Sequence, residues 1–144
     1  MIKLRPITEL DIEAVTEIDE KITGKYKPDD WERRFGYYLR RDPELSLVAE
    51  ENGKVVGFML GEVRAGEFGL EEPAGWIEVM GVDPECQGRS VGRELLQGML
   101  ENFRTRKAVA VRTLVDEEAQ ADLLTFFRKS SFQPTPLKTL EHRL

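Results

Sequence analysis

The residues best suited to chemistry lie in one stretch, Val79-Met80-Gly81-Val82-Asp83-Pro84-Glu85-Cys86-Gln87-Gly88-Arg89-Ser90-Val91-Gly92-Arg93. The segment up to Val82 reads as a strand end, and the apolar repeat Val91, Leu95, Leu96, Met99, Leu100, Phe103 has helical spacing. The turn between them carries little side-chain bulk, so the unpaired N–H groups of the helix start can point together at one spot. The helix dipole adds partial positive charge there, Ser90 offers a hydroxyl, and Arg89 and Arg93 bring full charges, a combination that suits a pyrophosphate. The plainer alternative is that Gly88 and Gly92 only permit a tight turn and close packing. Charge alone fits a solvated helix, but the coincidence of this turn with a basic segment favours the anion site: Gln87 to Lys107 holds five basic residues against two acidic ones, a local +3 that leaves −9 for the rest of a chain of net charge −6.

Several other chemistries are excluded. A triphosphate-binding loop needs Gly-Lys-Ser/Thr after its glycines, and a dinucleotide fold needs Gly-x-Gly-x-x-Gly straight after the first strand; neither pattern is present. With Cys86 the only cysteine and His142 the only histidine, there is no internal disulfide and no Cys/His cluster, so no structural metal is expected. Cys86 has no histidine near it in sequence to activate it as a nucleophile, and His142 is no better placed as a base. A pI near 5.0 argues against nucleic acid as a partner. No apolar run reaches the roughly 18 residues of a membrane span, and residues 1–6 lack the apolar core of a signal peptide, so a cytoplasmic protein that avoids membranes is expected.

The elements that position this stretch follow from periodicity. Residues 1–6 suit a short strand. Thr8 with Asp11 three residues on resembles a capping box, ahead of a helix with Ile12, Val15, Ile18 and Ile22 on one face that ends near Gly24. Trp31, Phe35, Tyr38 and Leu39 give the stripe of a second helix between Pro28 and Asp42-Pro43. Strands are predicted over 45–50 and 55–64 around an Asn52-Gly53 hairpin turn, then over 76–82. After the helix from Val91, the β-branched run 108–115 predicts a strand returning parallel, and Asp116-Glu117-Glu118 predicts the start of a helix reaching Lys129. The tail 132–144, with Pro134 and Pro136, is expected to add one or two edge strands. Residues 1–144 thus read as a single α/β domain: a mixed sheet of about 6–7 strands flanked by about four helices.

Val82-x-Pro84-x-x-Gln87-Gly88-Arg89-Ser90-Val91-Gly92 resembles the acetyl-CoA signature of the GNAT superfamily of N-acetyltransferases, Gln/Arg-x-x-Gly-x-Gly/Ala after a Val-x-Pro strand end. The element order resembles that fold over nearly the whole chain. The resemblance implies acetyl-CoA as cosubstrate, with the pantetheine amides paired to backbone at Met80, Gly81 and Val82 and the pyrophosphate held by Gln87, Gly88, Arg89, Ser90, Val91, Gly92 and Arg93. A family asparagine that contacts the cofactor falls near Gln120. Two departures stand out. Ser90 replaces the usual middle glycine, at little cost if its φ is helical. Phe127 takes the place of the tyrosine that protonates the departing thiolate, and Ser131 the place of the glycine of the following Gly-Phe pair.

The implied activity is acetyl transfer to a primary amine by direct attack in a ternary complex. An ammonium near pKa 10 needs help in losing its proton, and Glu78 is the candidate base, on the face of Met80 and Val82 by the two-residue period. Exposure to solvent or pairing with a cation would explain Glu78 as well, and Glu62 and Asp116 are reserves. A backbone N–H near Met80 or Gly81 would polarise the thioester carbonyl. Tyr37 or Tyr38 could replace the missing acid, although packing explains both. Trp31, Phe35 and Tyr38 line either an acceptor cleft or the core. The acidic remainder of the chain favours a cationic acceptor such as a polyamine, an aminoglycoside, a lysine side chain or a protein N-terminus. A homodimer through the C-terminal strands is a further implication. The alternative activity, motivated by Phe127, is a CoA-binding sensor or interaction module without turnover.

Overall fold

Where apolar residues alternate, the chain pairs into a sheet; where they recur every three or four residues, it coils onto one of that sheet's faces. The computed structural model describes all 144 residues, in two compact units, 1–114 and 115–144. No helix is long and apolar enough to cross a membrane.

In the first unit, strands β1 (Ile2–Pro6), β2 (Ser46–Glu51), β3 (Lys54–Arg64), β4 (Ala74–Val82) and β5 (Val111–Thr113) form one sheet in the order β1-β2-β3-β4-β5. Every pairing is antiparallel except β4 with β5. The β2–β3 turn places Asn52 at φ 54 and Gly53 at φ 76, the left-handed pair that a tight hairpin needs. Helices α1 (Ile12–Thr23) and α2 (Pro28–Tyr38) cover one sheet face, and α3 (Val91–Thr105) covers the other. The α1/α2 core joins Val15, Ile18, Trp31, Phe35 and Tyr38 to Val48, Phe58 and Leu60. The capping box forms as expected: Thr8 and Asp11 bond reciprocally, though over a 3-10 turn (Glu9–Asp11) just ahead of α1. Asp11 also takes both terminal nitrogens of Arg5 at 2.8 Å, tying the helix entry to β1.

One irregularity in β4 matters most. Leu60 pairs with Val79 but Gly61 pairs with Ile77, so Glu78 is an extra residue, a β-bulge. Its effect on the backbone can be followed from either side. The Gly75 amide donates to Ala110 O beside β5 (2.8 Å), whereas the Asp83 amide, eight residues on, donates to Val56 O of β3 (2.8 Å). A regular strand would send both the same way, and the bulge accounts for the inversion. Counting back from Asp83, the N–H and C=O groups of Gly81 point at β3, and those of Met80 and Val82 point at the opposite edge. That edge has no strand partner beyond Ile77, because β5 pairs only with Gly75, Trp76 and Ile77.

The sheet has five strands rather than 6–7. The tail 132–144 contributes none: Pro134 and Pro136 remove two ladder donors, and residues 133–144 are exposed along their whole length. The predicted strand over 108–115 shortens to Val111–Thr113, since parallel pairing stops where β4 bulges. In the second unit α4 spans Ala121–Lys129, starting later than the acidic cluster suggested. The Asp116 carboxylate accepts the Glu118 (3.0 Å) and Ala119 (3.1 Å) amides, making a side-chain turn one step ahead of the helix.

Candidate active site

β4 runs directly into the turn that leads to α3. Asp83, 1% exposed, secures its start: Oδ1 accepts the Glu85 amide (3.0 Å) and Oδ2 accepts Lys21 Nζ from α1 (3.1 Å). Burial acts to raise the Asp83 pKa, but the Glu85 amide and the Lys21 ammonium outweigh it and hold the carboxyl below its ordinary range. A 3-10 turn over Pro84–Cys86 follows, with Cys86 buried, and then Gln87 extends and Gly88 adopts φ +85. A Cβ on Gly88 would meet nothing within 4 Å, so glycine serves the backbone conformation here and not a close approach.

Ser90 caps α3 at φ 67, ψ 15, a left-handed conformation. The expectation of an inexpensive helical φ is therefore corrected: the serine sits where the usual glycine is free of strain, at a cost of about 1 kcal/mol. Its hydroxyl makes no cap bond and accepts instead from Arg93 Nη2 at 2.9 Å. No acceptor within the protein takes the amides of Gly88, Arg89, Ser90, Val91, Gly92 or Arg93. The structure thus gathers residues 87–93 at one helix start with donors to spare, the electrostatic opposite of a phosphate. The side chains contribute less than their types suggest. Arg89 is drawn to Glu51 at the end of β2 (2.6 Å), Gln87 Nε2 lies 3.5 Å from Val82 O, and Val91 is buried beside Gly57, leaving only its amide for a ligand.

Glu78 does not share a face with Met80 and Val82. The bulge breaks the two-residue period, and Glu78 lies with Val79 on the α1/α2 side. There Oε1 accepts Tyr38 Oη (2.6 Å) and Oε2 accepts Arg34 Nε (2.8 Å), with the carboxylate side chain 41% exposed. Burial, then the bond to Glu78 and the charges of Glu78 and Glu62, raise the Tyr38 pKa far above the ordinary phenol value. Tyr38 is thus held as a phenol whose proton is committed to Glu78. Arg34 also lies over the buried Trp31 ring, 4.5 Å from its centroid.

The reserve acid Glu62 is 7% exposed and fully engaged, taking Tyr37 Oη at 2.8 and 2.7 Å and Arg64 at 3.1 and 2.9 Å, with Arg41 at 3.5 Å. The acidity of the chain as a whole is therefore not concentrated beside β4, where each glutamate is matched by arginine. The sequence reading missed Arg34, Arg41 and Arg64 and the hydroxyl roles of both tyrosines. One signal was available: 34, 37 and 38 recur at helical spacing and so share one side of α2, with Arg41 just beyond its end.

In the second unit, Gln120 precedes α4 with its side-chain oxygen bound to the Asp116 amide (3.0 Å). Asp116 is occupied by that same turn. Phe127 is buried, with ring centroids 5.2 Å from Phe126 and 4.9 Å from Phe132. No group of three His, Cys, Asp or Glu side chains is placed to hold a metal ion.

Comparison with known proteins bears on these features. The model of the acetyltransferase (GNAT) family matches residues 12–132, spanning parts of both units. An acetyltransferase of Pectobacterium atrosepticum is 27% identical over 142 residues, 99% of this chain and 95% of that protein. A mycothiol acetyltransferase of Thermobispora bispora is 40% identical over 76 residues, 53% of this chain but only 26% of that longer protein. Among solved structures, an aminoglycoside N-acetyltransferase in complex with CoA superposes with TM-score 0.82 at 15% identity, covering 99% of this chain and 95% of its own. A transcriptional regulator from Bacillus halodurans C-125 gives TM-score 0.82 at 18% identity over the whole of both chains. At these identities the structural likeness shows the shared fold.

Proposed function

The chain belongs to the acetyltransferase (GNAT) family, and from that premise we propose that it uses acetyl-CoA to acetylate a primary amine by direct attack in a ternary complex. The observation that carries this reading is the row of acceptor-free amides from Gly88 to Arg93, directly after a strand edge that lacks a partner. Residues 87–93 would hold the diphosphate, chiefly through backbone N–H groups and the α3 dipole. Arg93 adds charge from the first turn, and Arg89 does so by sharing or leaving Glu51. Met80 and Val82, whose backbone groups face the unpaired edge, are the strand residues suited to the pantetheine amides; Gly81 is turned towards β3. Gln120 remains a proposed cofactor contact, as does a single working domain over residues 1–144 in a reducing cytoplasm. So does a homodimer, now without the C-terminal strands expected to build it.

Acetyl-CoA supplies an activated acyl group, and the protein's own groups do the rest. The Met80 N–H is suited to bond the thioester oxygen, a fixed dipole that needs no reorganisation as charge develops. Glu78 accepts the proton of the incoming ammonium, directly or through water, its position set by Tyr38 and Arg34. Neither Phe127 nor the committed Tyr38 proton serves the leaving thiolate, which takes a proton from water. Losing a positioned acid costs about two orders of magnitude, leaving a slow but real transferase. Release of free thiol from acetyl-CoA over a panel of primary amines tests this, alongside calorimetry with CoA. Thiol release that falls at least tenfold in Glu78→Gln supports it. CoA binding with no thiol release for any amine would replace it with the sensor reading that Phe127 motivates, and no CoA binding would remove both.

A further inference from the structure

We propose that Arg34 and Glu78 together recognise an acceptor that carries a carboxylate beside its amine, as an α-amino acid does, with Glu78 receiving the ammonium and Arg34 the carboxylate. This rests on the acetyl-transfer reading and narrows its substrate class. Arg34 is held on two sides, by Nε to Glu78 Oε2 at 2.8 Å and by stacking 4.5 Å from the centre of Trp31. Of its five N–H donors only the one on Nε has a partner, so the four on its terminal nitrogens are left without an acceptor while the side chain stays 30% exposed. A fixed guanidinium with free terminal nitrogens is a fork for a planar carboxylate. Beside it, Glu78 is 41% exposed and keeps lone pairs beyond those used by Tyr38 and Arg34. A cation and an anion 2.8 Å apart form the mirror image of a zwitterion.

A purely cationic acceptor fits less well. Glu62 and Glu78 are ion-paired with Arg34, Arg41 and Arg64, so within this cluster three positive charges meet two negative ones. If Arg34 served only to brace Glu78, it would not discriminate between acceptors with and without a carboxylate, and that is the readout to use.

The test measures binding of matched pairs to the CoA-loaded protein: alanine against ethylamine, phenylalanine against phenethylamine, ornithine against putrescine. The carboxylated member is expected to bind about tenfold more tightly or better, and Arg34→Gln to erase that preference while CoA affinity stays unchanged. Arg34→Lys, which keeps charge without the planar fork, is expected to retain only part of it. Equal binding within pairs, tighter binding of the decarboxylated members, no binding of either, or a preference that survives Arg34→Gln would each overturn the inference. Failure of the underlying reading looks different: CoA itself would not bind, or bound acetyl-CoA would release no thiol with any amine.

Discussion

Adding one methyl group at Gly81 tests the bulge-dependent geometry of β4. A Cβ there would lie 2.7 and 2.8 Å from the Phe58 ring and 3.1 Å from Ile22 Cδ1. The ring cannot retreat easily: Phe58 is 1% exposed and meets Trp31 edge to face at 5.1 Å, and Trp31 is itself fixed by its Nε1 bond to Asp19 (3.0 Å). Overpacking of this kind costs about 2 kcal/mol, which for a chain of this length lowers the melting temperature by about 6–8 °C. Gly81→Ala should show that drop in thermal unfolding. Phe58→Leu should compensate, making the double variant more stable than the sum of the single changes by about 1 kcal/mol or more. Gly57→Ala is the control. Its Cβ would press on Val91 (2.9 Å) and Leu95 (3.1 Å) of α3, on the opposite face, so Phe58→Leu should leave its cost unchanged. A Gly81→Ala protein that melts within about 1 °C of the parent would refute the placement of Gly81 on the α1/α2 face. With it would go the assignment of the Met80 and Val82 amides to the unpaired edge.

Other outcomes follow from single residues. Ser90→Gly should relieve the left-handed φ of 67 and, after the entropy cost of glycine, stabilise by about 0.5 kcal/mol in urea unfolding without loss of CoA affinity; destabilisation would mean the serine has a role beyond its backbone. Tyr38→Phe removes the 2.6 Å bond to Glu78 and should lower kcat/KM for the amine about tenfold with CoA affinity intact, and unchanged kcat/KM would dissociate Tyr38 from the chemistry. For Asp11, burial raises the pKa but the bonds from Arg5 and from the Thr8 backbone outweigh it, so the folded value lies below the unfolded one. Its stabilisation is therefore present above the unfolded pKa of about 3.9 and lost as pH falls through the folded value. The urea midpoint should fall below about pH 4, less steeply in Asp11→Asn, and identical acid profiles for the two proteins would contradict this.

Local rules made much of the fold legible. Thr8 and Asp11 announced a cap, Asn52-Gly53 a hairpin, and the Val91 repeat a helix, because each depends on neighbours a few residues apart. The helix start after Gly88, with its unpaired amides, was legible for the same reason, since those donors are backbone groups released wherever a helix begins. The β4 bulge was not, because an extra residue in one strand is defined only against its partner, and that single residue moved Glu78 to the other face. Nor could sequence show that Arg34, 44 residues from Glu78, would neutralise it, or that Arg89 would turn to Glu51. The tail misled because prolines are tolerated at sheet edges, so Pro134 and Pro136 fit an edge strand, whereas Phe132, Leu137, Leu140 and Leu144 lack the two-residue alternation of a strand.

The proposed diphosphate site can be tested directly through its own amides. In a titration followed by amide proton and nitrogen shifts, CoA is expected to move the resonances of Gly88 to Arg93 strongly, while pantetheine, which lacks the diphosphate, moves those of Met80 and Val82 and leaves residues 88–93 in place. Shifts at 88–93 that are the same for both ligands, or absent with CoA bound, would contradict the assignment of that helix start as the anion grip.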